Sequence, residues 1–133
     1  MSDHFEKIKV LRPYLGKFSL VGISGIFVNQ GLLTLFVSVF AWEVSIAGIV
    51  AIEFSILNNF FLNNFWTWRD KKENSFFNRF WKYHAVTVIS GGLNYIILIS
   101  LTYFGMHYFV ANLIGIGAGT VVNFIFNHYW TFG

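Results

Sequence analysis

The sequence predicts an all-α membrane protein in which four transmembrane helices form two hairpins of a parallel repeat, with both termini cytoplasmic. Three observations predict it. The 133 residues are 56% hydrophobic and only 11% charged, against about 25% charged in a soluble domain, and mean hydropathy is +0.59. Four long apolar windows are separated by short polar segments. The basic residues fall into two clusters, one before the first window and one between the second and third.

Residues 1–17 form a basic N-terminal segment carrying Lys7, Lys9, Arg12 and Lys17. The first span, Phe18 to Phe40, is 23 residues long. It exceeds the roughly 7–15 residues of a cleavable leader's apolar core, and no small-residue cleavage site follows it, so it is expected to stay as a span. Val44 to Phe65 closes the first hairpin, residues 18–65. A basic and aromatic loop, 66–82, leads to Tyr83 to Phe104 and then Tyr108 to Tyr129, the second hairpin within residues 83–133. Each window meets the roughly 20 residues needed to cross about 30 Å of hydrocarbon. Helix is the expected conformation, because lipid cannot satisfy an open backbone and four such runs cannot close a barrel.

All nine basic residues lie in the two clusters, the second being Arg69, Lys71, Lys72, Arg79 and Lys82. The turns around Trp42-Glu43 and Gly105–His107 hold none. The positive-inside rule therefore puts both clusters and both termini on the cytoplasmic side. Within the loop, "FFNRFWK" places Phe76, Phe77, Phe80 and Trp81 on one helical face. Either a short helix lying among headgroups or the plain flank of the third span fits that pattern.

The ends of the second and fourth spans are alike. At an offset of 64, "NFFLNNFWTW" aligns with "NFIFNHYWTF": Asn59 with Asn123, Asn63 with Asn127, Trp66 with Trp130 and Thr67 with Thr131. One residue of slippage places Lys17 on Lys82 and Asn29 on Asn94. Two spans per unit make this a parallel repeat about an axis along the membrane normal. Gly22, Gly25 and Asn29 share a face of the first helix, Ser90, Gly91 and Asn94 one of the third, and Asn112, Gly115, Gly119, Asn123 and Asn127 one of the fourth. The glycines read as close-packing positions, in the Gly-x-x-x-Gly manner.

Carboxamides in hydrocarbon need partners, since an unpaired polar group there costs several kcal/mol. Asn29 and Asn94 fall near mid-span; Asn59, Asn63, Asn123 and Asn127 descend toward the cytoplasmic surface. They either line a polar groove open to the inside or hydrogen-bond between helices. Trp66, Trp68, Trp130 and their neighbouring aromatics read as interfacial belt residues, with stacking on a sugar as the alternative. Glu53 is the one acid within a span, with Gly117 at the matching position. Intramembrane acids are functional candidates by default.

Catalysis is not expected. Cysteine is absent, His4, His84, His107 and His128 are scattered, and neither paired acids, a phosphate loop nor metal spacing is visible. No metal and no cofactor are anticipated, and the short membrane-bound basic loop does not suit nucleic acid.

The two hairpins, with "NNFWTW" and "NHYWTF" closing the second and fourth spans, resemble the GtrA-like family of small four-helix membrane proteins over about Arg12 to Phe132. The resemblance implies translocation of a polyprenyl-phosphate-linked sugar across the cytoplasmic membrane for envelope polysaccharide glycosylation. The partners it implies are that lipid-linked sugar and the surrounding membrane lipids. On the charge and amide layout of this chain, Arg69, Arg79 and Lys82 are expected to catch the phosphate, Asn29, Asn94, Asn59, Asn63, Asn123 and Asn127 to exchange hydrogen bonds with the sugar, and Glu53 to gate or select. Four helices enclose little space, so a homo-oligomer is expected. The family commonly has an arginine directly after the motif asparagine, where this chain has Asn64 and His128, so another cation must serve. The rival readings are a non-transporting accessory that positions a glycosyltransferase and, against the charge bias, a small-cation or drug exporter.

Overall fold

The computed structural model describes residues 2–71 and 74–133, apart from the side chains of Tyr108 and Phe109; Lys72 of the second basic cluster lies outside the described residues. Four helices follow in order: α1 (Ser2–Thr34), α2 (Val44–Leu62), α3 (Phe76–Tyr103) and α4 (Tyr108–Phe126). α1, α2 and α4 each end in five residues of wider π-helix, Leu35–Val39, Asn63–Thr67 and Asn127–Thr131. All four helices are long and apolar enough to cross a membrane, and no described residue is in a strand. The chain is an all-helical, multi-pass membrane protein.

Met1–Asp70 and Lys71–Gly133 form two compact units, each a pair of helices. In the first, α1 and its π-turn run 38 residues, roughly 57 Å at about 1.5 Å per residue. About 30 Å of that suffices for hydrocarbon, and the basic residues 2–17 continue the same helix. Pro13 sits inside this extension and removes one backbone hydrogen bond there. Around the turn, the Trp42 N–H donates to the Phe36 carbonyl at 2.9 Å. The Trp42 indole stacks on the Phe36 ring at 4.5 Å.

In the second unit, α3 begins at Phe76, capped by Ser75, whose hydroxyl accepts the Asn78 N–H at 3.2 Å. The "FFNRFWK" stretch is thus the first turns of a continuous 28-residue helix. A serine cap followed by residues with no breaker up to Gly91 leaves no reason for a separate element. The α3–α4 turn closes on Gly105, whose φ of +100° suits a residue without Cβ.

Each hairpin buries a narrow seam and leaves its outer faces apolar and exposed, as lipid-facing surfaces are. The seams correspond residue by residue. Phe18, Val21, Ala47, Phe60 and Trp68 are buried in the first unit; Tyr83, Val86, Ala111, Phe124 and Phe132 are buried in the second. The offset is 65 on the first helix of each pair and 64 on the second.

Candidate functional site

The span-ending motifs form the same local structure twice. In the first, the Asn63 backbone carbonyl accepts the Trp68 N–H at 2.9 Å, an i→i+5 bond that opens the helix by one residue. The Asn63 carboxamide oxygen accepts the Thr67 hydroxyl at 2.8 Å. The second repeats this: Phe132 N–H to the Asn127 carbonyl at 2.9 Å, and Thr131 hydroxyl to the Asn127 carboxamide at 2.8 Å. One asparagine therefore holds both the backbone and the side chain of a widened turn, and π-turns of this kind are frequent at functional sites. Asn63, Thr67, Asn127 and Thr131 are all buried.

Widening the turn sends the two aromatics in opposite directions. Trp68 is 0% exposed and Phe132 1%. Trp68 packs on Phe18 at 5.8 Å and stacks on Tyr14 at 6.4 Å. Trp68 is a core residue, which corrects its assignment to the interfacial belt. Trp66 and Trp130, by contrast, are 40% and 37% exposed. The Lys17 ammonium lies 5.7 Å from the Trp66 ring centre, and that of Lys82 lies 5.2 Å from Trp130, both cation–π contacts. Each hairpin thus ends in a lysine-capped, partly exposed indole.

Around Trp66 this station opens into a pocket of about 500 Å³ lined by Lys9, Tyr14, Lys17, Arg69 and Asp70, among others. The Tyr14 hydroxyl donates to the Asp70 carboxylate at 2.6 Å. The comparable hollow beside Trp130, about 490 Å³, is lined by Ile89, Ile125, Phe126 and Tyr129 and is almost wholly apolar.

Asn58, Asn59, Asn123 and Asn127 are hydrogen-bonded inside their own hairpins. In the first, the Asn58 amide donates to Ser24 at 3.1 Å and to Asn59 at 3.2 Å, and a methyl on Gly25 would collide with the Asn59 amide. In the second, Asn127 donates to the Asn123 oxygen; Asn123 donates to the Ser90 hydroxyl at 3.2 Å, and Ser90 to the Thr87 carbonyl at 3.1 Å. The Asn94 carboxamide faces Gly115, and the Ser90 carbonyl faces Gly119. Gly25, Gly115 and Gly119 are close-packing positions as expected, while a methyl on Gly22 or Gly91 would meet open space. Asn29 is half-buried and Glu53 exposed on its helix.

The three cations expected to act together are placed differently. Arg69 is exposed on the wall of the Trp66 pocket. Arg79 is buried, donates to the Asn74 carbonyl and lies 6.0 Å from the Phe76 ring centre. Lys82 caps Trp130. At the positions of the absent motif arginine, Asn64 and His128 are both buried, and the Lys71 ammonium lies 3.2 Å from the His128 Nε2. Sequence reasoning missed Lys9, Tyr14 and Asp70. It also passed over Thr67 and Thr131 as partners of their asparagines, although their shared i+4 spacing was visible in the aligned motifs.

Two pairs of membrane-length helices, each ending in an asparagine-held turn and a cation beside a partly exposed indole, define a multi-pass membrane protein. The family described as GtrA/DPMS, transmembrane domain, matches residues 17–132, and this chain belongs to it. Dolichol-phosphate mannosyltransferase of Pyrococcus furiosus is 44% identical over 115 residues, which cover 86% of this chain and 32% of that protein. The chain therefore spans about a third of the length of the curated relative it matches.

Proposed function

We propose that this chain carries a polyprenyl-phosphate-linked sugar across the cytoplasmic membrane, serving envelope glycosylation as a non-catalytic, homo-oligomeric translocator. The observation that supports it is the pair of lysine–tryptophan stations, Lys17 over Trp66 and Lys82 over Trp130. A phosphodiester needs a cation, and the apolar face of a sugar ring stacks on an exposed indole; a prenyl tail needs only lipid. In this reading the hairpins are parallel repeats, so both stations share the cytoplasmic face with the basic clusters and both termini. Asn29, Asn94 and Glu53, further along the spans, meet the sugar during passage. Asn59, Asn63, Asn123 and Asn127 act chiefly by holding each hairpin's seam closed behind the stations.

The test is transport of a labelled polyprenyl-phosphate-linked sugar into sealed proteoliposomes. Trp66→Ala combined with Trp130→Ala, and separately Glu53→Gln with Asn29→Ala, are expected to lower the rate at least several-fold. Unchanged rates in both would refute the assignment.

A second reading is a membrane module that positions a glycosyltransferase without moving lipid itself. It is favoured by the relative's name and by this chain matching only 32% of it. A transferase that co-purifies with the chain, together with no flux from the chain alone, would establish that reading in place of the first.

A further inference from the structure

We infer that the Trp66 pocket of the first hairpin is a phosphate-binding site, built from Lys9, Lys17 and Arg69 with Asp70 held by Tyr14. Its ligand chemistry is a phosphate group. Assigning that phosphate to a prenyl lipid rests on the function proposed above; the anion site itself rests on the pocket.

Four observations carry it. First, three of the nine basic residues line one hollow, although they come from two different helix ends separated by more than fifty positions in sequence. Second, its volume of about 500 Å³ lies within the roughly 300–1,000 Å³ of small-molecule sites, leaving room beside a phosphate for part of what it is attached to. Third, its position suits an amphiphile: the first helix overshoots the hydrocarbon, and the pocket forms where that overhang passes the end of α2. An anion there keeps its charge at the surface while a tail continues into lipid. Fourth, Asp70, the one acid among the described residues of the pocket wall, is tethered, since the Tyr14 hydroxyl donates to it at 2.6 Å. Lys9 also lies 3.8 Å from the Glu6 carboxylate in an exposed pair, so Lys17 and Arg69 are the cations that matter most.

The second hairpin supplies the contrast. Its lysine and tryptophan are placed alike, but the positions matching Lys9, Tyr14 and Arg69 are Asn74, Arg79 and Gly133. Arg79 is buried against the Asn74 carbonyl, and the hollow beside Trp130 is apolar. A cation over an indole therefore recurs in both halves, whereas the cluster of cations around a hollow belongs to the first.

Asp70 tunes the site. Its charge opposes an incoming phosphate, so Asp70→Asn is expected to strengthen binding. Tyr14→Phe releases the carboxylate to turn toward Arg69 or Lys17 and is expected to weaken it, although phenylalanine preserves the stack on Trp68.

The experiment measures binding to the full chain in phosphatidylcholine nanodiscs, using farnesyl phosphate, farnesol and inorganic phosphate as probes. Farnesyl phosphate is expected to bind at least tenfold more tightly than farnesol. Lys17→Gln and Arg69→Gln are each expected to weaken it about tenfold, the scale of one charge-assisted hydrogen bond. Arg12→Gln, which removes an exposed charge outside the pocket, should change it less than twofold. These residues lie at the surface, and unchanged helical circular dichroism confirms that each variant is folded. Pocket variants indistinguishable from Arg12→Gln, or equal affinity for farnesol, would overturn the site. Competition by inorganic phosphate at equal concentration would keep the anion site and overturn its lipid assignment. Failure of the translocation reading is separable: farnesyl phosphate would still bind at the pocket while the proteoliposomes showed no transport.

Discussion

Replacing Asn127 by alanine should cut a chain of hydrogen bonds that ties the end of α4 to α3. In the native chain, Thr131 donates to Asn127 at 2.8 Å, Asn127 to Asn123, Asn123 to Ser90 at 3.2 Å and Ser90 to the Thr87 carbonyl at 3.1 Å. Asn127 is 0% exposed, so water does not replace what is lost. The alanine variant loses two side-chain bonds, about 0.6 kcal/mol each by the average for membrane proteins. It also leaves the Thr131 hydroxyl and the Asn123 oxygen with a partner removed, which adds about 1–2 kcal/mol. The expected loss is about 2–3 kcal/mol, while Thr131→Val, which removes one bond, should cost about 1 kcal/mol. The assay is reversible unfolding of the detergent-solubilised chain against SDS mole fraction, followed by circular dichroism. The double variant should cost less than the sum of the singles by roughly 0.5–1 kcal/mol, the signature of a shared bond. An Asn127→Ala loss below about 0.5 kcal/mol, or strict additivity with Thr131→Val, would show that the clamp does not hold the span end.

Other consequences can be measured in the same system. Gly25→Ala and Gly119→Ala place a methyl against the Asn59 amide and the Ser90 carbonyl and should each destabilise by about 1–3 kcal/mol. Gly22→Ala points into open space and should be neutral or stabilising by up to about 1 kcal/mol. Trp68→Ala empties a fully buried site and should cost about 3–5 kcal/mol in unfolding. Trp66→Ala, at an exposed position, should cost far less while weakening farnesyl phosphate binding. A reporter fused at either terminus should read cytoplasmic, and one inserted at Trp42-Glu43 should read external; the reverse would overturn the orientation taken from the basic clusters.

Hydropathy and charge placement were enough to read four helices and their hairpin pairing, because lipid leaves the backbone few alternatives and apolar length is set by bilayer thickness. The aligned motifs also revealed that the two span ends are equivalent. They did not reveal which aromatic of each motif is buried. A regular α-helix advances 100° per residue, whereas the π-turn at Asn63 and Asn127 inserts a residue and rotates everything after it. Trp68 and Phe132 are thereby turned into the seam, and Trp66 and Trp130 are left facing outward. Counting at regular periodicity could not anticipate that rotation.

The asparagines show the same division. Their spacing of three or four identified a polar face, but whether such a face meets a ligand or its own neighbours depends on how near the partner helix lies. Gly25, Gly115 and Gly119 bring the helices close together, and Asn58, Asn59, Asn123 and Asn127 find hydrogen-bond partners inside their own helix pair. The basic residues differ again: nine charges within two stretches of sequence set the expected orientation of the chain, a property that depends only on which side of the bilayer each occupies. That Lys9, Lys17 and Arg69 surround one hollow while Arg79 is buried could emerge only from the folded helices, because it depends on side-chain distances across a helix pair and not on order along the chain.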